Sequence, residues 1–183
     1  MQIPGNKKTN IKDLFKKVKL LILDVDGVLT GGEIIYDDRG RELKIFNVKD
    51  GLGVFLLGKV GIKTVILSAR NSPVLQKRSL DMGVAAVIGG ILPKEKALDD
   101  IKKRFKVGDS QICFIGDDLI DIGIIERVGL GVAVADSPAQ VRRASVYVTK
   151  NKGGQGAVRE IVDLILKAQG LEKKVLEFVR NPR

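Results

Sequence analysis

The chain has 183 residues, of which 44% are hydrophobic and 30% are charged, and its formal net charge is +10. This balance is typical of a globular protein rather than a disordered one, and the length suits one domain with a sizeable core. Its apolar runs fall short of the roughly 20 residues that a membrane helix needs, and the N-terminus lacks the apolar stretch of a signal peptide. We therefore expect a single domain over 1–183 that has no membrane partner.

The excess positive charge is spread thinly over probable helix faces near both ends of the chain. Aromatic residues make up only 4%, so platforms for base stacking are scarce and a nucleic-acid partner is not expected. The single cysteine, Cys113, lies in an apolar run, which predicts packing rather than thiol chemistry and favours a reducing cytoplasm. The terminal basic residues are Lys7, Lys8, Lys12, Lys16, Lys17, Lys19, Lys167, Lys173, Lys174, Arg180 and Arg183.

Short apolar runs alternate with helical patterns along the chain. Because the runs are continuous, they predict strands buried on both faces, as in a parallel sheet between two helix layers. The predicted strands are 20–24, 64–68, 84–88, 112–116 and 130–135. The predicted helices are 72–83, which opens with Ser72 and Pro73, then 93–105, 137–144, 156–170, and a C-terminal helix and tail at about 171–183. The fold class is therefore α/β, as a three-layer sandwich.

Residues 31–47 depart from this alternation. They hold two short apolar stretches around the segment 37–40, whose sequence DDRG is typical of a turn. The pattern predicts a β-hairpin that projects from the end of the first strand, followed by a helix from about Asp50. The hairpin is too small to form a separate lid domain.

Three predicted strands end in polar residues, namely Asp24, Ser68 and Asp117. Ligands of open α/β sheets bind at the carboxyl ends of the strands, so these side chains are expected at one edge. Asp24 and Asp26 are two apart in an extended segment, which points both carboxylates to one side, where they repel unless a cation separates them. Mg²⁺ suits such hard oxygen ligands and would also neutralise a bound phosphate.

Lys94, Asp118 and Asp121 each allow two interpretations. Lys94 opens a predicted helix and could reach phosphate oxygens, but an exposed lysine at a helix start, as expected of Lys96, fits the same pattern. Asp118 and Asp121 follow the strand into the next helix, where they either support the carboxylate site or cap the helix N-terminus.

These residues resemble the four motifs of the haloacid dehalogenase superfamily. The segment LDVDGVLT at 23–30 is similar to its Asp-x-Asp-Gly-x-x-Thr motif. Ser68, Lys94 and the segment GDDLID at 116–121 match the second, third and fourth motifs in order and in strand context.

Nearly the whole chain after about residue 15 also resembles the 3-deoxy-D-manno-octulosonate 8-phosphate (KDO 8-phosphate) phosphatases within that superfamily. The resemblance is carried by 46–51, 116–121, 128–137 and 147–170, together with the small hairpin. It implies a Rossmann-like core without a large cap domain and a phosphorylated sugar acid as substrate, in lipopolysaccharide precursor biosynthesis. It also implies a homotetramer in which the hairpins take part, neighbours complete each other's sites, and the C-terminal tail can cover a neighbouring site.

The resemblance further implies roles for the matching positions. Asp24 would form the aspartyl phosphate, and Asp26 would act first as general acid and then as general base. Mg²⁺ would be held by Asp24, by the backbone carbonyl of Asp26 and by Asp117, while Ser68 and Lys94 would bind the phosphoryl group. The expected substrate-contacting positions are Asp26, Asn47, Val48, Lys49, Asp50, Gly51, Ser68, Arg70, Arg78 and Lys94.

Several departures from that family's pattern concern the sugar rather than the chemistry. SAR at 68–70 replaces Ser-Gly-Arg, TGG at 30–32 replaces Thr-Asp-Gly, Lys49 stands where arginine is usual, and a Trp-Pro after the fourth motif is missing. They leave open a related substrate, such as a sialic acid 9-phosphate, or a mainly oligomerising module with vestigial activity. A phosphomutase would need a cap for which the chain has no segment, and a receiver domain would lack the Asp-x-Asp-Gly-x-x-Thr run.

Overall fold

The computed structural model describes residues 10–181, so the predictions for Lys7, Lys8 and Arg183 lie outside the described residues. The strands are β1 (Leu20–Leu23), β2 (Ile35–Tyr36), β3 (Glu42–Leu43), β4 (Lys63–Leu67), β5 (Ala86–Ile88), β6 (Ile112–Gly116), β7 (Leu130–Ala133) and β8 (Tyr147–Val148). The α-helices are α1 (Ile11–Lys17), α2 (Val48–Lys59), α3 (Pro73–Asp81), α4 (Leu98–Phe105), α5 (Ile122–Arg127), α6 (Ala139–Ala144), α7 (Ala157–Gln169) and α8 (Glu172–Arg180). Short 3-10 turns lie at Lys94–Ala97, Asp109–Gln111 and Leu119–Asp121.

Six strands form one parallel sheet in the order β5-β4-β1-β6-β7-β8. In the central strand β1, Leu23 pairs with Ile66 of β4 on one side and with Ile115 of β6 on the other. This confirms the predicted α/β class and its central parallel sheet. The sequence did not predict β8, because two residues at the edge of a sheet are too few to show a periodic pattern.

The side chains of β1 belong to two separate hydrophobic cores, one on each face of the sheet. Leu21 and Leu23 pack with residues of α1, α2, α3 and α7 on one face of the sheet. Leu20 and Ile22 pack with residues of α4, α5 and α6 on the other face. Successive side chains of a strand point to opposite faces, so a continuous apolar run is what a strand between two helix layers requires.

Helix boundaries follow local capping chemistry, with three corrections to the sequence prediction. The helix predicted over 93–105 opens as a 3-10 turn and becomes an α-helix only at Leu98. The helix expected from about Asp50 begins at Val48, because the Asn47 side chain accepts a hydrogen bond from the Lys49 N–H at 2.8 Å. Helix α3 begins at Pro73 as predicted, but the Ser72 hydroxyl does not cap it. Helices α6, α7 and α8 lie within their predicted ranges.

The predicted β-hairpin is present as β2 and β3, which pair Ile35 with Leu43 and Tyr36 with Glu42. Its turn is held by the Asp37 carboxylate, which accepts the backbone N–H groups of Arg39 at 3.0 Å and Arg41 at 2.7 Å. The hairpin lies between β1 and α2 in the chain, at the edge of the sheet where β1 ends. None of the helices within 10–181 combines the length and apolar character needed to cross a membrane.

Candidate active site

Three neighbouring strands end at the same edge of the sheet. Asp24 follows β1, Ser68 follows β4 and Asp117 follows β6, and β1 lies between the other two. The sheet therefore brings together the three polar strand ends that the sequence singled out. They border a cavity of about 230 Å³, which is lined by Asp24, Asp26, Gly32, Ser68, Ala69, Arg70, Lys94, Asp117, Asp118 and Ile120.

Lys94 lies at the floor of this cavity with 0% of its side chain exposed. Its Nζ is 2.9 Å from Asp24 Oδ2 and 2.6 Å from Asp121 Oδ1. Burial lowers the pKa of Lys94, but the two carboxylates outweigh it and raise the pKa above its ordinary value. Lys96, by contrast, is exposed, which separates the two lysines that the sequence could not distinguish.

Asp121 supports both Lys94 and the loop that follows β6. Its Oδ2 accepts the backbone N–H groups of Asp117 at 2.9 Å and Asp118 at 3.3 Å, while Oδ1 binds Lys94. This approach requires Gly116, since a Cβ there would lie 2.6 Å from the Asp121 Cβ. Asp121 therefore has both of the roles that the sequence left open: it caps the turn at 119–121 and it supports the carboxylate site. Asp118 is exposed and caps the turn through the Leu119 N–H at 2.7 Å.

Asp24, Asp117 and Asp121 each offer a carboxylate oxygen within 4.8 Å of the others. Asp24 and Asp117 line the cavity and Asp121 does not, so Asp24 and Asp117 are the two that a cation in the cavity can reach. Burial raises the pKa of Asp117 to about 8, and repulsion from Asp24 and Asp121 adds to this rise. Burial also raises the pKa of Asp24 to about 6, against the opposing effect of Lys94. These residues fit a hard divalent cation, which would relieve the repulsion.

Gly27 lets the loop after β1 approach that carboxylate pair. It has a φ of +82°, and a Cβ at this position would lie 2.0 Å from Asp117 Oδ2. The glycine of the Asp-x-Asp-Gly segment is thus required both by its left-handed backbone and by the space that Asp117 occupies.

Asp26 points away from the carboxylate pair and towards the hairpin. Its Oδ1 accepts a hydrogen bond from Lys44 Nζ, and its Oδ2 lies 3.5 Å from Arg70 Nη1. Arg70 Nη2 in turn lies 2.6 Å from Glu42 Oε1. The sequence interpretation missed Lys44 and Glu42, although their spacing of two on a predicted strand points both side chains to one face.

Ser68 is buried at the end of β4, and its Oγ accepts the backbone N–H of Arg70 at 3.1 Å. Since that contact uses a lone pair of the hydroxyl, its proton stays available to a phosphate oxygen. Arg70 also keeps a donor: its Nη1 is buried without a hydrogen-bond partner among residues 10–181.

The other predicted substrate contacts do not line the cavity. Asn47 Nδ2 donates to the Gly154 carbonyl at 3.3 Å, and buried Asp50 accepts the N–H groups of Gly156 and Arg159 at 3.2 and 2.7 Å. These bonds join the start of α2 to the start of α7 and give both residues a structural role within this chain.

The remaining predicted substrate contacts are Gly51, Arg78, Val48 and Lys49. Arg78 Nη2 donates to the Asn47 carbonyl at 3.1 Å, and a Cβ at Gly51 would lie 2.0 Å from the same nitrogen. Val48 and Lys49 are exposed, and Lys49 lines a larger groove of about 680 Å³ beside α7 instead. Substrate contact by these residues stays a prediction.

Comparison with known proteins agrees with this geometry. Residues 61–161 match the model of the haloacid dehalogenase-like hydrolases. The 3-deoxy-D-manno-octulosonate 8-phosphate phosphatase of Haemophilus influenzae is 43% identical over 155 residues, which is 85% of this chain and 86% of that protein. The chain belongs to the haloacid dehalogenase-like hydrolases. The predicted family and enzyme class, a phosphatase, are thereby confirmed.

Two solved structures of this family are similar over most of their length. The 3-deoxy-D-manno-octulosonate 8-phosphate phosphatase of Yersinia pestis has a TM-score of 0.87 at 39% identity, covering 89% of this chain and 88% of that one. The enzyme of Moraxella catarrhalis, in complex with magnesium ion, phosphate ion and KDO, has a TM-score of 0.88 at 38% identity, covering 92% and 97%. The fold of this hydrolase is thus the fold of phosphatases that act on a phosphorylated sugar acid.

Proposed function

We propose that this hydrolase is a Mg²⁺-dependent phosphatase that converts KDO 8-phosphate to KDO and inorganic phosphate in lipopolysaccharide precursor biosynthesis, within the cytoplasm. The observation that carries the proposal is the grouping of Asp24, Lys94 and Asp117 at one strand edge, in a chain about 40% identical to phosphatases of that substrate.

Asp24 is the nucleophile in the proposed reaction. A carboxylate oxygen of Asp24 attacks phosphorus, the bond from phosphorus to the sugar oxygen breaks, and an aspartyl phosphate forms. Lys94, 2.9 Å from Asp24, favours its ionised form and supplies positive charge beside the phosphoryl oxygens. Ser68 donates its hydroxyl proton to one of those oxygens.

Asp26 moves the proton in both halves of the reaction. As general acid it protonates the leaving sugar oxygen, and as general base it then takes a proton from the water that attacks the aspartyl phosphate. The second displacement breaks the bond from phosphorus to Asp24 and releases inorganic phosphate. The position of Asp26 on the same cavity, two residues after Asp24, supports this assignment.

Asp24 and Asp117, with the backbone carbonyl of Asp26, are the proposed ligands of Mg²⁺. When bound, this ion neutralises charge on the phosphoryl group and on the paired carboxylates. Asp121 orients the Asp117 loop and Lys94. The substrate carboxylate is assigned to Arg70, whose Nη1 accounts for this role because it donates no hydrogen bond within residues 10–181.

A substrate comparison tests the proposal. Purified protein with Mg²⁺ should release phosphate from KDO 8-phosphate far faster than from a nine-carbon sialic acid 9-phosphate. Turnover of the nine-carbon substrate alone would replace the proposed substrate by the related sugar acid. Absence of turnover on both, with the sheet intact by circular dichroism, would favour the oligomerising module.

We also propose that the chain assembles as a homotetramer through the hairpin. The hairpin gathers four large apolar side chains on its surface, which is typical of a surface covered by another subunit; Ile34, Tyr36, Leu43 and Ile45 are 56%, 59%, 50% and 70% exposed. Ile35 and Phe46 of the same hairpin are partly buried. Size-exclusion chromatography with light scattering is the test, and a monomer would exclude the neighbour's contribution to each site.

A further inference from the structure

The hairpin carries a buried ammonium group into the site. Lys44, one residue after β3, has only 3% of its side chain exposed. Its Nζ donates a hydrogen bond to Asp26 Oδ1 and lies 3.4 Å from Glu42 Oε1. A buried ammonium is costly unless carboxylates compensate it, so the position of Lys44 depends on these two residues.

Lys44 and Arg70 hold the two oxygens of Asp26 differently. Lys44 occupies Oδ1 with a hydrogen bond, whereas the distance of 3.5 Å from Arg70 Nη1 to Oδ2 is an ion pair without one. Glu42 binds both cations, through Lys44 at 3.4 Å and Arg70 at 2.6 Å. Charges therefore alternate around a closed ring of four side chains, and within residues 10–181 Oδ2 accepts no hydrogen bond.

This asymmetry has a consequence for proton transfer. An ammonium has only donors, so the Asp26 oxygen that it contacts must be an acceptor in either protonation state. Because the carbonyl oxygen of a neutral carboxylic acid is a better acceptor than its hydroxyl oxygen, the Lys44 contact favours Oδ1 as the carbonyl oxygen and places the proton on Oδ2. A general acid works only within hydrogen-bond reach of its proton acceptor, and a misplacement of about 1 Å costs roughly a hundredfold in rate.

We propose that Lys44 is a positioning residue that fixes Asp26 through Oδ1 and leaves Oδ2 as the oxygen that donates and accepts the catalytic proton. The inference rests on the acid-base role of Asp26 in the proposed function. It makes the hairpin part of the catalytic apparatus of its own chain, in addition to any part in assembly.

The test compares two substrates: the leaving group of one must be protonated as it departs, and that of the other need not be. The variants are Lys44→Met, which keeps length without charge, Lys44→Gln, which keeps a neutral donor, and Lys44→Arg. Arg39→Met, on the exposed turn of the same hairpin, is the matched control. Each is assayed with KDO 8-phosphate and with p-nitrophenyl phosphate, whose p-nitrophenolate departs without a proton.

For Lys44→Met, kcat/KM with p-nitrophenyl phosphate, which reports formation of the aspartyl phosphate, should stay within about threefold of wild type. Its kcat should fall about a hundredfold, because water attack still needs the positioned base, and rapid mixing should show a burst of nitrophenolate. With KDO 8-phosphate, both kcat and kcat/KM should fall about a hundredfold. Lys44→Arg should recover most of the loss, and Arg39→Met should match wild type.

Two results would overturn the inference. One is an equal loss of kcat and kcat/KM with p-nitrophenyl phosphate, which would place Lys44 in phosphoryl binding or in folding. The other is wild-type kinetics on both substrates. Lys44→Gln is judged by the same criteria if Lys44→Met does not fold. If the wild-type protein hydrolyses p-nitrophenyl phosphate but not KDO 8-phosphate, the proposed substrate is refuted. The role of Lys44 is still tested in that case, by the kinetics of its variants with p-nitrophenyl phosphate.

Discussion

The floor and the rim of the site each hold a lysine between two carboxylates, but the two regions are built differently. At the floor, Lys94 lies between Asp24 and Asp121, which follow two adjacent strands of the sheet. At the rim, Lys44 lies between Asp26 and Glu42, on a hairpin with only two paired residues in each strand. Both hydrophobic cores lie behind the floor, whereas among residues 10–181 the hairpin contributes only Phe46 to either of them.

The polarity of the hairpin is also reversed relative to the sheet. Its charged residues Glu42 and Lys44 face inwards to the site, while Leu43 and Ile45 are 50% and 70% exposed. The difference teaches that packing holds Asp24 and Lys94 in place, whereas charge holds Asp26 and Lys44. Variants of the floor should therefore have larger effects than variants of the rim.

The largest effect is expected from Asp24→Asn at the floor. The amide is nearly the same size but is a poor nucleophile, so kcat should fall by roughly 10⁴-fold or more. Steady-state phosphate release measures it, with Asp38→Asn on the exposed turn as the control. Activity close to wild type would refute the aspartyl-phosphate mechanism.

Asp121→Ala should be the most destabilising of these changes. The change removes one of the two carboxylates that compensate the buried Lys94 ammonium, and it removes the acceptor of two backbone N–H groups. The free energy of unfolding should fall by about 3–5 kcal/mol. Urea denaturation measures this loss. Asp100→Ala, which breaks an exposed pair at 3.9 Å with Lys103, should change stability by less than about 0.5 kcal/mol. Equal effects would show that the floor pair is not buried in solution.

Metal removal should make the stability of the floor depend on pH. The pKa of Asp24 rises to about 6 and that of Asp117 to about 8, both from 3.8. Between the unfolded value of 3.8 and these raised values the folded protein keeps protons that the unfolded chain has lost, so stability falls as pH rises, by on the order of 5 kcal/mol from about pH 5 to about pH 8.

Thermal unfolding in EDTA measures this slope. Mg²⁺ binds the ionised carboxylates, so the increase in Tm on adding it should grow with pH. Asp117→Asn should flatten the pH dependence in EDTA and remove most of the Mg²⁺ effect. A Mg²⁺ effect that is the same at both pH values would argue against these carboxylates as its ligands.

The smallest effect is expected from Glu42→Gln at the rim. The buried Lys44 keeps its hydrogen bond to Asp26 in this variant, and the Arg70 side chain is 40% exposed, so loss of the Glu42 charge should lower the free energy of unfolding by only about 1–2 kcal/mol. Urea denaturation of this variant and of Asp121→Ala under the same conditions compares the two losses in the free energy of unfolding. A loss of about 3 kcal/mol or more would mean that the rim is held as rigidly as the floor.

The local pattern of the sequence determined five of the six strands of the sheet, the helices α3, α4, α6 and α7 in outline, the hairpin and the three polar strand ends. These features follow from apolar periodicity, turn residues and capping residues within a few positions of one another. Asp24, Ser68 and Asp117 could be placed together because strand ends of a parallel sheet share one edge.

Only the tertiary structure decided which charged residues face one another. Lys94 and Lys96 have the same local pattern, and it is the contact of Lys94 with Asp24 and Asp121 that separates them. Lys44 is hydrogen-bonded to Asp26, 18 positions away in the sequence, and Asp50 is hydrogen-bonded to the backbone of Arg159, 109 positions away. Such pairings depend on how separate elements pack, and the periodicity of a single segment carries no information about them.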